Sequence, residues 1–343
     1  MESEMSKQHF RAIDIAKGIG IILVVLGHSL KQTEVNARWI KILVCLIYSF
    51  HMPLFFALSG FLAEKVLRLE TMKERLVYVK KRALRLLVPY FVIGLVYIPV
   101  KLKLSAYAVK PFTLRDSLGL LIGQNPNTSL WFLYVLFIVS AICALFVHES
   151  NFRSFLYGAG ALSVASCWVN ISLKTPKYLF FFLAGMWVRK KYEDARAEGK
   201  TYLFEGQTGA VIIAAVIFLL LNRYYYKTGI NILRMGTSIC GIYMVLWLSE
   251  GILKAMEGSF LFRTLEKAGA CSMDIYILHE PVMTVAKIVF WNKLALPYGI
   301  CTGIIFLCAL LIPVPVSNMI IRRIWLLRFL LLGEKRSTGT AGF

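Results

Sequence analysis

The chain has 343 residues, 58% of them hydrophobic and 13% aromatic, with a mean hydropathy of +0.66 and a formal net charge of +20. That is too apolar for a water-soluble globular domain, so most of the chain is expected to lie in lipid. Basic loops facing anionic lipid account for the charge, which leaves no need for a nucleic-acid partner.

Apolar runs of spanning length predict an all-α integral membrane protein, a single domain over 1–343 built as a bundle of about ten transmembrane helices. The runs lie near 13–30, 40–62, 84–100, 128–147, 154–171, 176–189, 208–222, 232–252, 271–290 and 299–320. Lys and Arg concentrate in the segments that are internal when the amino terminus is internal, so both termini are expected in the cytoplasm. The first run is too long for a signal peptide and no small-residue cleavage site follows it, so it is expected to stay attached. The polar segments 63–83 and 189–207 have the length of short surface helices. The seven cysteines (45, 143, 167, 240, 271, 301 and 308) lie in apolar runs without CxxC spacing. That argues against disulfides or a zinc site, and no metal site is expected.

The first run carries Asp14, Lys17 and His28 where hydrocarbon is expected, and charge inside a span is rarely kept without a use. On a helix, with Asp14 at zero, Lys17 falls at about 300° and His28 at about 320°, one stripe. Roughly 16 Å separates Lys17 from His28 and roughly 21 Å separates Asp14 from His28, so Asp14 cannot orient His28 directly. A lone histidine near a helix end also serves as a plain inter-helix hydrogen-bond partner. The second run returns antiparallel and brings His51, just before Pro53, toward the depth of His28. Pro53 is expected to break the local ladder and free backbone groups.

At the mouth of the third run stand Lys80, Lys81, Arg82 and Arg85. Arg82 and Arg85 are i,i+3 neighbours whose paired guanidiniums suit phosphate, although a positive-inside anchor has the same composition. Asn125, Asn127, Thr128 and Ser129 lead into Trp131. This polar entry fits either a polyhydroxylated acceptor or a helix cap with an interfacial tryptophan. The ninth run contains Asp274, His279 and Glu280, ahead of Pro281. They are candidates for substrate contact or for inter-helix hydrogen bonds. No Walker loop, HExxH, GxSxG or arginine ladder occurs in a suitable context, so nucleotide hydrolysis, zinc proteolysis, serine hydrolysis and voltage gating lack support.

Taken together, RAIDIAKGIGIILVVLGH (11–28), FHMPLFFALSGF (50–61), RALRLLVPY (82–90), LWFL (130–133) and YILHEP (276–281) resemble the membrane-bound acyltransferase type 3 family. The basic residue, ten residues, histidine pattern is met by Lys17 and His28, and the Arg-x-x-Arg pattern by Arg82 and Arg85. The resemblance implies a ten-helix bundle in the inner (plasma) membrane that moves an acyl group, usually acetyl, from acyl-coenzyme A to a hydroxyl of a cell-surface or exported carbohydrate. It implies a one-domain member without an esterase-like carboxy-terminal domain, and acetyl-coenzyme A as co-substrate with no permanently bound cofactor. On this reading Arg82, Arg85 and Lys17 hold the donor's charged end, and His28, with Lys17 and Asp14 on its stripe, forms the catalytic set. His51, Asp274, His279, Glu280, Asn127 and Trp131 orient the imidazole or the acceptor. The competing reading of the same intramembrane charges is a transporter or flippase for a polar glycan or organic acid.

Overall fold

The computed structural model describes residues 10–31, 37–103, 112–168, 174–200 and 202–334. Among these residues there is no β-strand, and every predicted span is helical. The helices are α1 Arg11–Lys31, α2 Arg38–Leu62, α3 Met72–Lys103, α4 Trp131–Phe146, α5 Phe152–Trp168, α6 Lys174–Ala197, α7 Thr208–Thr228, α8 Leu233–Met256, α9 Phe260–Ala270, α10 Ser272–Ala286, α11 Tyr298–Leu311, α12 Pro313–Val316 and α13 Trp325–Leu332. The last residues of the predicted fifth run, 169–171, lie outside the described residues.

Seven helical stretches among the described residues are long and apolar enough to cross a membrane: α1, α2, α3, Thr128–Phe146, α7, α8 and Tyr298–Ile321. The other three predicted runs are helical but do not meet the same measure, for local reasons. The described part of α5 is 17 residues long. Charged residues from Arg189 onward fill the last turns of α6. The fifteen-residue α10 gives way to a π-helical turn at Lys287–Lys293.

The segment 63–83 departs from its prediction. A short 3-10 turn at Glu64–Arg68 is followed directly by α3, which starts twelve residues before the apolar run. A reciprocal cap sets that start. The Glu74 amide donates to Thr71 Oγ1 at 3.2 Å, and the Thr71 amide donates back to Glu74 Oε2 at 3.2 Å. Arg75, one residue on, is almost fully buried. Its guanidinium donates to the carbonyls of Ala144 (2.6 Å), Val147 (3.2 Å) and Leu69 (2.5 Å), closing the end of α4.

Around α1, the most buried span, pack α2, α8, α9, α10 and α11. Glycine permits the close crossing of α2 and α6. A Cβ at Gly185 of α6 would strike the Ala57 carbonyl of α2, and one at Gly60 of α2 would strike the Phe182 carbonyl of α6. Gly185→Ala is expected to destabilise the fold by about 1–3 kcal/mol through forced separation of the two helices. A melting curve of the purified protein checks it, and an unchanged Tm would show that the crossing yields freely.

Pro53 does not interrupt α2, which runs unbroken through it. Proline leaves the carbonyl four residues back, that of Ser49, without its helical donor. Ser238 Oγ of α8 lies 2.7 Å from it, sharing its one proton between that carbonyl and the Arg234 carbonyl of its own helix at 2.6 Å. The lost rung thus becomes an inter-helix tie just below His51.

Candidate active site

The stripe of α1 holds as read. Lys17 Nζ lies 2.9 Å from Asp14 Oδ1, an i,i+3 pair near the helix start, while His28 stands close to the other end. The imidazole of His28 is about a quarter exposed and meets α10, where His279 and Glu280 sit about one turn past Tyr276. His28 Nδ1 is 3.9 Å from Glu280 Oε2, and His279 Nε2 is 3.9 Å from the same oxygen. The two imidazole rings are 5.3 Å apart, edge to face.

Local bonds orient each member. His279 is fully buried, with Nδ1 at 2.6 Å from the Tyr276 carbonyl. A carbonyl only accepts, so Nδ1 carries a proton, and in the neutral form of the ring the lone pair is left on Nε2, on the side of the cluster. Nε2 is buried and has no hydrogen-bond partner. Ser129 Oγ donates to Glu280 Oε2 at 2.9 Å. The Tyr276 hydroxyl donates to the Ser129 carbonyl, fixing that serine against α10.

Asn127 supports the same loop. Its side chain accepts from the Ser129 amide at 3.2 Å, capping the 3-10 turn Thr128–Leu130, and its own amide donates to Asn125 Oδ1 at 2.9 Å. Trp131 packs against Tyr178, with ring centroids 5.2 Å apart, in an aromatic group that includes Phe56. His51 is buried, with Nδ1 at 2.8 Å from the Ile47 carbonyl of its own helix. Its ring reaches the cluster through Tyr48, whose centroid lies 4.8 Å from His51 and 6.0 Å from His28.

Asp274 stands apart from these groups. It is buried against Arg322, with oxygens 2.9 Å and 3.0 Å from Nη2, and accepts from Ser317 Oγ. About one and a half helical turns separate it from His279. Arg322 is the group that sequence reasoning did not single out. Ser129 and Tyr276 left a signal only as parts of the polar entry to the fourth span and of the YILHEP motif.

A cleft of about 160 Å³ runs from the cations of α1 and α3 toward this cluster, and its lining stops one turn short of His28 and Glu280. Lys17, Arg82 and Arg85 line its charged end, and Val24, Met52, Phe132 and Tyr276 its apolar end. Val24 lies one turn from His28 on α1, and Tyr276 one turn from Glu280 on α10. Arg82 donates to the Tyr78 hydroxyl at 2.9 Å, and Arg85 Nη1 donates at 2.7 Å to the Leu332 carbonyl.

A family model described as an acyltransferase domain, of the acyltransferase 3 family, matches residues 10–317. The chain belongs to this acyltransferase family. Two curated relatives are similar to parts of it. The nodulation protein NolL of Mesorhizobium japonicum is 29% identical over 177 residues, 50% of this chain and 45% of the relative. The nodulation protein NolL of Sinorhizobium fredii is 30% identical over 190 residues, 53% of this chain and 50% of the relative. The chain thus spans about half the length of the curated relatives it matches. No solved structure matches it. Several of its helices are long and apolar enough to cross a membrane.

No metal centre was expected from spacing along the chain, yet ligand atoms of His28, His279 and Glu280 lie within 4.8 Å of one another. They come from the distant helices α1 and α10, a juxtaposition that local spacing does not encode. A small cation is one occupant of such a cluster, and a migrating proton is the other.

Proposed function

We propose that this acyltransferase moves an acyl group, acetyl in the first instance, from acyl-coenzyme A to a hydroxyl of a cell-surface or exported carbohydrate. Ten spans, with both termini in the cytoplasm of a cell whose plasma membrane holds the protein, complete the reading. The observation that carries it is the cleft that starts at Lys17, Arg82 and Arg85 and ends at Val24 and Tyr276, each one turn from a member of the His28–His279–Glu280 cluster. The donor's phosphates suit its charged end, and the flexible pantetheine arm suits its apolar course.

The chemistry follows from the groups at the far end. His28 takes the proton of the acceptor hydroxyl as that oxygen attacks the thioester carbon. Glu280 stabilises the imidazolium, and Ser129 holds Glu280 in place. Collapse of the tetrahedral intermediate breaks the carbon–sulfur bond, and the departing thiolate takes the proton from His28. An ester and free coenzyme A result, with His28 neutral again.

Ser129→Ala is expected to lower kcat about tenfold, the worth of one hydrogen bond to a charged group. Donor KM should stay as it was, and Ser129→Thr should restore the rate. A loss confined to KM would place Ser129 in binding instead.

The function itself is tested by mass spectrometry of surface polysaccharide from cells with and without the protein, alongside transfer assayed with acetyl-coenzyme A and purified enzyme. The expected result is one acetyl mass per modified sugar and release of free coenzyme A, undiminished by a chelator. Substrate movement across vesicles without coenzyme A would instead make the protein a carrier. Activity lost to the chelator and restored by zinc would make the three clustered groups metal ligands.

A further inference from the structure

Arg85 faces two ways. It lines the cleft on one side, and on the other Nη1 lies 2.7 Å from Glu334 Oε1. The same carboxylate meets Arg322, whose Nη1 is 3.3 Å from Oε1 and 3.1 Å from Oε2. Glu334 therefore bridges two guanidiniums that come from α3 and from the turn before α13. Neither partner is sealed from solvent, since the Arg85 and Arg322 side chains are each 35% exposed.

The backbone delivers this carboxylate with little tolerance. Gly333 has φ +64, and a Cβ there would collide with the Leu84 carbonyl and with Arg85 of α3. Only glycine lets the chain lie flush on α3 at that point and turn Glu334 back onto Arg85. Arg322 is held from behind by Asp274, which also accepts from Ser317, so its remaining donors point at Glu334 rather than swinging free. The result is a seat for one anion, made by two anchored guanidiniums and filled by a carboxylate of the chain itself.

We propose that Arg85 and Arg322 form an anion seat at the charged end of the cleft, and that Glu334 occupies it as an internal substitute for a phosphate, leaving when a phosphate of the donor arrives. This rests on the acyl-coenzyme A reading above. It assigns Arg322 a binding role and makes the segment after α13 a competitor of the donor. Guanidiniums pair with carboxylate and phosphate through the same forked geometry, so one displaces the other without rebuilding the site.

The test is calorimetric titration of the full-length, detergent-solubilised protein with inorganic pyrophosphate and, separately, with acetyl-coenzyme A, at matched ionic strength. Glu334→Gln removes the competing charge at nearly constant shape. Both ligands are expected to bind about three- to fivefold more tightly than to the unaltered protein, the range for a partly exposed ion pair. Glu334→Asp retracts the charge by one methylene and is expected to fall between the two, which keeps the test open should the glutamine variant melt early. Arg322→Lys preserves the pairing of Asp274 and is expected to weaken pyrophosphate binding and to abolish the gain from Glu334→Gln.

Unchanged affinity for both ligands in Glu334→Gln and Glu334→Asp overturns the proposal and leaves Glu334 as a tether for α13. Pyrophosphate binding that tightens as expected, with acetyl-coenzyme A bound by neither form, upholds the seat and removes the donor assignment instead.

Discussion

His28→Ala is expected to lower kcat by about 10²- to 10⁴-fold, the usual range for losing a general base. The helix that carries the residue should survive the change. Ile15, Ile21, Val24 and Val25 of α1 are buried in the core, and the imidazole at position 28 is about a quarter exposed. The variant should therefore insert and melt like the unaltered protein, and donor affinity, set at the other end of α1, should stay the same. Added imidazole is expected to recover part of the rate by entering the space left behind. Correct insertion with full activity would exclude the proposed base, and His279 would be the next candidate because the lone pair of its Nε2 faces the same point.

Replacing Arg82 and Arg85 together by alanine is expected to raise donor KM by about 10²- to 10⁴-fold. Each hydrogen bond to a charged group contributes about 1.5–3 kcal/mol, and the phosphates would lose two such partners. Acceptor KM should not move, because the acceptor site proposed above lies at the opposite end of α1. The single changes separate binding from architecture. The side-chain hydrogen bond of Arg82 to Tyr78 stays inside α3, whereas Arg85 also ties α13 through the Leu332 carbonyl. Arg82→Ala should thus affect KM alone, and Arg85→Ala should lower Tm as well. Lysine at either position is expected to restore only part of the affinity, since a point charge lacks the fork. An unaltered donor KM in the double variant would end the anchoring role.

How much of this was legible along the chain depended on distance. Lys17 and His28 share one helix, so their stripe and their separation followed from helical geometry alone. The Arg82–Arg85 spacing is likewise local. Glu280 and His279 were visible as misplaced polarity, but their meeting with His28 brings α1 against α10, which no periodicity encodes. Asp274 looked like part of the same group because it lies in the same span. Its partner Arg322 is 48 positions away, and only the packed structure shows the pair. Arg75 was hidden for another reason. Within a run of charged residues it looked solvated, whereas α4 ends beside it and turns its last carbonyls toward that side chain. Pro53 was read correctly as a lost rung. The group that meets the freed carbonyl, Ser238, came from α8, which the position of the proline does not encode.

The opposed ends of the cleft have a consequence for transport across the bilayer. On the proposed reading, the bulky anionic half of the donor halts where it is made, and only a two-carbon fragment completes the journey. No nucleotide is exported and no carrier for activated acetate is required. On the same reading, the energy of the thioester bond crosses the hydrophobic barrier with the acyl group alone.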